Sequence, residues 1–145
     1  MAVKTYDPKG INVVIGGVPL TGYSKDSFVK VSRNEGLFTQ YKGVDGTGSR
    51  AKNNNNSGTI EVTLAKTSAS NDFLSALAAA DEASGQGTFP VLIKDVNGTT
   101  KHVSVCAWVD KTADDEQAKD VTDRTWKITC DDLTMNDGGN NSTGL

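Results

Sequence analysis

The residues Gly46-Thr-Gly-Ser-Arg-Ala51 match the dinucleotide fingerprint, with alanine at its last position. That chemistry needs glycines opening a helix, whose amide N–H groups then face a pyrophosphate. Here Lys52 and four consecutive asparagines follow, so no helix is available and no cofactor is expected. The other candidate is a Cys/His pairing. His102 is the one histidine, and strict alternation would place it on one strand face with Ser104, Cys106 and Trp108. Such a face could present a metal ligand or an activated thiol. One histidine beside one cysteine is short of a ligand set, and the reading for His102 is a surface or wall-facing residue. The acids between 110 and 123 are not at EF-hand spacing and read as a solvated loop. Four sequons, beginning at Asn55, Asn97, Asn140 and Asn141, carry meaning only in a secreted chain. Walker lysine, Gly-x-Ser-x-Gly and His-Glu-x-x-His patterns are lacking, Trp108 and Trp126 read as packing residues, and no enzyme is expected.

The elements that would position any such residues centre on Gly58 to Asp110. Ile60, Val62 and Leu64 alternate with Glu61, Thr63 and Ala65, the period of a strand with one buried face. The period then changes. Ser68 or Ser70 offers an N-cap, Asp72 suits the first turn, and Phe73, Leu74 and Leu77 follow at helical spacing. Gly85 and Gly87 end a helix expected at about 69–83. So short a helix is marginal alone, and burying Phe73, Leu74 and Leu77 would contribute roughly 1.5–3 kcal/mol each. It is therefore expected to pack on a sheet. Thr88–Lys94 is a short apolar strand, Asn97-Gly98 signals a hairpin that tolerates positive φ, and Thr99–Val109 returns.

The remaining chain adds strands at 11–15, 18–23, 27–33, 37–42 and 121–130. The last of these puts Arg124, Trp126, Ile128 and Cys130 on one face. Residues 43–57 are polar and glycine-rich without apolar periodicity, and read as a long exposed loop or hairpin tip. The fold class is mainly β with one α-helix: a β-sandwich or partial barrel of about eight strands. One domain is expected over 1–135, followed by a flexible Gly/Asn-rich tail over 136–145.

Composition narrows the function. The net charge is −3, but residues 110–145 hold nine acids against four bases, a net of −5, which leaves +2 elsewhere. That balance opposes a simple nucleic-acid binder, which shows a basic stripe. No apolar run approaches the length of a membrane span, and the start lacks a signal-peptide core, so synthesis in the cytoplasm is expected. If 99–109 and 121–131 formed a simple hairpin, Cys106 and Cys130 would lie roughly 16 Å apart along the ladder. Two free thiols follow from that register.

Several stretches together resemble a known family. They are the opening Met1–Pro8, the Gly16-Gly17 turn, Phe28–Glu35, Gly43–Gly46, and above all Ser70–Leu77 with Asp81–Leu92. The chain resembles the small tail tube proteins of contractile-tailed bacteriophages over about residues 1–131. The resemblance implies a structural virion protein, sharing its fold with type VI secretion inner tubes. It implies hexameric rings whose sheets close a continuous β-barrel lumen, stacked into a tube that conducts phage DNA without specific binding. The implied partners are other copies of the chain, a tail sheath, and baseplate and terminator proteins; assembly would occur in the host cytoplasm. The segment 43–57 is then the natural reach to the next ring, with Asp45, Gly46, Arg50, Lys52, Asn53 and Asn54 as contacts. The acidic loop 111–120, the four-asparagine run and the tail depart from the family pattern. A second reading is a secreted or surface β-sandwich binding module, for example for carbohydrate. It would use Trp108 and Trp126 as contacts and predicts a monomer with a Cys106–Cys130 disulfide.

Overall fold

The computed structural model describes residues 3–139. Asp7 caps a 3-10 turn at Pro8–Gly10, its carboxylate accepting from the Lys9 amide at 3.0 Å. Strand β1 (Ile11–Ile15) turns through Gly16-Gly17, both at positive φ, into the two-residue β2 (Val18–Pro19). Pro19 cannot extend a ladder, which shortens the strand expected over 18–23. There follow β3 (Val29–Arg33), β4 (Phe38–Lys42), β5 (Gly48–Lys52), β6 (Gly58–Ala65), α1 (Ser70–Ser84), β7 (Phe89–Asp95), β8 (Lys101–Lys111), β9 (Asp123–Cys130) and β10 (Leu133–Asn136). Ten strands are thus described where about eight were expected.

Eight of them form one antiparallel sheet in the order β2-β1-β7-β8-β9-β6-β3, with β10 also on β8. Residues 20–28 bridge its two ends. Leu20 donates to the Val13 carbonyl on β1, while Ser24 donates to Thr63 and Gly22 accepts from Ala65 on β6. The sheet therefore curls into a partial barrel. Val13, Ile15, Ile60, Val62, Leu64, Val91, Ile93, Trp126 and Ile128 fill it. The alternations of β6 and β9 are as the sequence predicts, with Ile60, Val62, Leu64, Trp126, Ile128 and Cys130 all buried.

Because α1 joins the end of β6 to the start of β7, it lies at that end of the barrel. Leu74 is fully buried, and Phe73 and Leu77 pack against the same core. Ala69 is the N-cap and makes no side-chain cap; Ser68 instead takes the Ser70 amide at 3.2 Å. Gly85, at φ 70°, ends the helix.

Four expectations need correction. The β7–β8 hairpin forms, but neither Asn97 nor Gly98 adopts positive φ. The turn is built on Asp95, whose carboxylate and carbonyl accept from the Asn97 and Gly98 amides at 3.0 and 3.3 Å. The register of β8 and β9 also differs from a simple hairpin: Ala107 opposes Cys130, and the Asp131 amide reaches the Cys106 carbonyl. The cysteines are close neighbours, not far apart, yet both are free. The register moves because β8 pairs with β9 only from Ala107↔Cys130 to Lys111↔Lys127, so Asp123–Trp126 pair with β6 alone. The buried face of β8 is moved separately, by a bulge. Val91 opposes Ser104 while Phe89 opposes Ala107, so β8 carries an extra residue around 105–106. The buried face runs His102, Ser104, Ala107, and strict alternation through Cys106 and Trp108 fails. Finally, the tail is not free from its start. Gly138 and Thr100 exchange two hydrogen bonds at 2.9 and 3.1 Å, Asn136 donates to Thr99, and Thr99 donates to Gly139. Residues 140–145 of that expected tail lie outside the described residues.

Candidate assembly surface

The strands β3 and β6 both end, or begin, at the pole of the barrel opposite α1. From that pole β4 and β5 project as a separate two-stranded sheet, pairing from Phe38↔Lys52 to Lys42↔Gly48. The segment 43–57 is therefore not a long loop. Its tip is a turn over 43–47, its middle is a strand, and only 53–57 is connection. The tip closes with Gly43 donating to the Thr47 carbonyl at 2.8 Å and Gly46 to the Gly43 carbonyl at 3.0 Å. Gly46 sits at φ 88°, where a side chain would be strained. Asp45 accepts from the Thr47 amide at 3.0 Å, and this backbone bond, aided by the Thr47 side chain, holds its carboxyl below its ordinary value.

Every residue of β4 and β5 is exposed. Opposed residues share a face, so Phe38, Gln40 and Lys42 line up with Arg50 and Lys52, and the Arg50 guanidinium lies 4.0 Å over the Phe38 ring. The other face carries Thr39, Tyr41 and Ala51. Leu37, Phe38, Tyr41 and Val44 are all large, apolar and exposed. An isolated two-stranded hairpin is marginal in water. One with four large apolar side chains in solvent is a candidate for contact with another surface.

The structure brings Arg50 and Lys52 together on one face, with Asp45 and Gly46 at the tip. Asn53 belongs to the base instead, and Asn54 is exposed beside it. The apolar residues were missed because Phe38 and Tyr41 fall in the strand expected at 37–42, outside the segment 43–57 read as the contact. The signal available was that 37–42 has no β-branched apolar residue, unlike β1, β3, β6 and β7. The Gly46–Ala51 fingerprint falls in this turn and strand, with no helix to receive a phosphate. His102 and Cys106 do not form a pair, since His102 is buried on the inner face of β8 and the bulge takes Cys106 off that face, leaving it half-buried. Among the described residues no group of three or more His, Cys, Asp or Glu could hold a metal ion. No helix among them is long and apolar enough to cross a membrane.

This fold is similar to that of solved assemblies. The anti-feeding prophage cap, its tube-terminating cap, aligns with a TM-score of 0.62 at 11% identity over 94% of both chains. A chain of the extended sheath-tube complex of the extracellular contractile injection system PVC aligns at 0.56, with 12% identity over 87% of both. A chain of the PVC sheath/tube terminator aligns at 0.55, with 12% identity over 94% of this chain and all of that one. The architecture is thus that of the tube and cap subunits of contractile injection systems.

Residues 10–138 match the family of the bacteriophage PhiTE tail tube protein, and the chain belongs to that family. It is also 36% identical to structural protein ORF10 of Pseudomonas phage KPP10, over 94% of this chain and 84% of that protein. It is a structural component of a phage tail. The binding-module reading is set aside with it: Trp126 is buried in the core and the two cysteines are not joined.

Proposed function

We propose that the chain assembles into hexameric rings, that the rings stack head to tail, and that the resulting lumen conducts phage DNA into the host. The observation that carries this reading is the projecting β4–β5 hairpin, exposed on both faces and contributing nothing to the subunit's own core. A heterologous contact of this kind, with one end of a subunit gripping a different surface on the next, generates rings or open-ended filaments. The hairpin is the ring-to-ring contact, with Asp45, Gly46, Arg50 and Lys52 joined by Leu37, Phe38, Tyr41 and Val44. A net negative subunit suits a conduit through which DNA slides without counterion-release binding. Sheath, baseplate and terminator proteins are the partners, assembly takes place in the host cytoplasm, and the role involves no catalysis.

Negative-stain microscopy of the purified chain at high concentration tests this. Hollow tubes or rings with sixfold end views are expected. A chain that stays monomeric even when seeded with tail ends from the phage would overturn the reading.

A further inference from the structure

The hairpin is attached to the barrel by two short passages, 34–37 and 53–57, and these are cross-braced. Glu35 lies on the first and reaches across to the second. Its carboxylate oxygen Oε2 accepts from Asn55 Nδ2 and from Asn53 Nδ2, the latter at 3.4 Å. Asn53 Nδ2 also donates to the Gly36 carbonyl at 3.0 Å, and its amide donates to the Leu37 carbonyl at 2.9 Å. The asparagine run is itself folded by its side chains: Asn53 Oδ1 takes the Asn55 amide at 3.0 Å, and Asn55 Oδ1 takes the Ser57 amide at 3.1 Å. One step further, Asn34 donates to Ser57 Oγ at 3.0 Å and accepts from Thr59 Oγ1 at 2.8 Å, which ties the brace to β6. The Asn56 carbonyl takes the Leu133 amide at 2.9 Å, which ties it to β10. Within a stretch that reads as an exposed loop or hairpin tip, Asn53 and Asn55 are thus polar struts.

We propose that Glu35 is the positioning residue of the assembly hairpin. With Asn53 and Asn55 it forms a rigid wrist that holds β4–β5 at one angle to the barrel. The proposal rests on the tube reading for its purpose but not for its mechanics. Nothing apolar holds the hairpin down, since residues 34–42 and 44–52 are exposed throughout. Its direction must then come from polar bonds at the base. A hairpin already pointing along the docking direction avoids the ordering cost that a swinging one meets on binding. The carboxylate matters because it accepts from two amides belonging to the opposite passage, and bonds to a charged acceptor are the stronger class.

The test uses the full chain with Glu35→Ala, Glu35→Gln and Asn55→Ala. Two quantities are read: amide hydrogen exchange in dilute, unassembled protein, and the critical concentration for tube formation. Glu35→Ala is expected to speed exchange of the β4–β5 amides by about tenfold or more, leave β6 and β9 protected as before, and raise the critical concentration by about tenfold. Glu35→Gln keeps an acceptor oxygen but not its charge and should recover about half of both. Asn55→Ala should behave as Glu35→Ala does, from the other side of the same bond. Unchanged hairpin exchange in Glu35→Ala overturns the wrist. Faster hairpin exchange with an unchanged critical concentration also overturns the positioning role. Wild-type protein that never assembles overturns the tube reading instead, and the exchange data then still decide the wrist.

Discussion

Asn71 uses both ends of its amide inside the protein. Its Oδ1 accepts the buried Trp126 indole N–H at 2.9 Å, and its Nδ2 donates to the Ala65 and Lys66 carbonyls at 3.0 and 3.3 Å. One side chain therefore satisfies a core donor and fixes the passage from β6 to α1. Asn71→Ala would strand the indole in an apolar site, and a destabilisation of about 2–3 kcal/mol is expected by urea unfolding. Asn71→Asp keeps the acceptor but loses the donor and should also lose stability; a change under about 0.5 kcal/mol in both would remove Asn71 from this role. His102 makes a second residue-scale prediction. Burial holds its imidazole below the ordinary value of 6.5, and Asp137, 3.5 Å away, opposes that only in part. Its Nδ1 is buried without a hydrogen-bond partner among the described residues. A folded value below the unfolded one means that the unfolded chain binds the proton more readily. His102 thus supports full stability above about pH 6.5 and costs stability as pH falls through its folded value. The melting temperature should drop between pH 7 and pH 5 more in the wild type than in His102→Gln, and parallel profiles would show that His102 is not the group responsible.

Elements add constraints that single side chains cannot. Gly58 opens β6 where that strand meets β3 on one side and β9 on the other. A Cβ there would lie 2.2 Å from Leu133 Cδ2 and 2.9 Å from the Ser32 carbonyl oxygen. The leucine could shift, but the carbonyl belongs to the paired strand. Gly58→Ala should therefore cost about 1–3 kcal/mol, read by thermal or urea unfolding, and a neutral result would mean the strands separate more easily than their pairing suggests. The same element shows what sequence reveals. The burial pattern of β6 was legible because Ile60, Val62 and Leu64 face one way, and α1 was legible from Leu74 and its neighbours. Registers were not legible. The β8 bulge at 105–106 leaves no mark in Val105 or Cys106, and it moved the expected chemistry face by one residue. β10 was not among the expected strands, the last of which stops at 130, whereas the chain merely bends at Asp131-Asp132 and continues along β8. At the hairpin, the exposure of Asp45, Gly46, Arg50 and Lys52 was legible from the polar, glycine-rich composition of 43–57. That of Phe38 and Tyr41 was not, since exposure of an apolar side chain follows from what fails to pack against it.

At the scale of the molecule, the chain is a barrel with unlike poles. The helix lies at one and the hairpin at the other, so a subunit has a direction, as the proposed head-to-tail stacking requires. The core and the proposed joining surface are also separated along the chain. The core draws on β1, β6, β7, β8, β9, β10, α1 and Leu20, while nothing from Leu37 to Lys52 is buried. This separation makes a sharp prediction. The base of the hairpin is narrow, with the Asn53 amide 2.9 Å from the Leu37 carbonyl, so Leu37–Lys52 can be replaced by two glycines without pulling β3 and β6 apart. The shortened chain should melt within about 3 °C of the wild type, because its core is intact and a shorter loop costs little entropy. It should also remain monomeric at concentrations where, on the proposed reading, the wild type forms tubes, which sedimentation velocity would read directly. A large fall in melting temperature would mean the hairpin supports the barrel after all. Undiminished tubes from a well-folded shortened chain would move the stacking contact to the helix pole, where the acidic loop between β8 and β9 would be the next segment to remove.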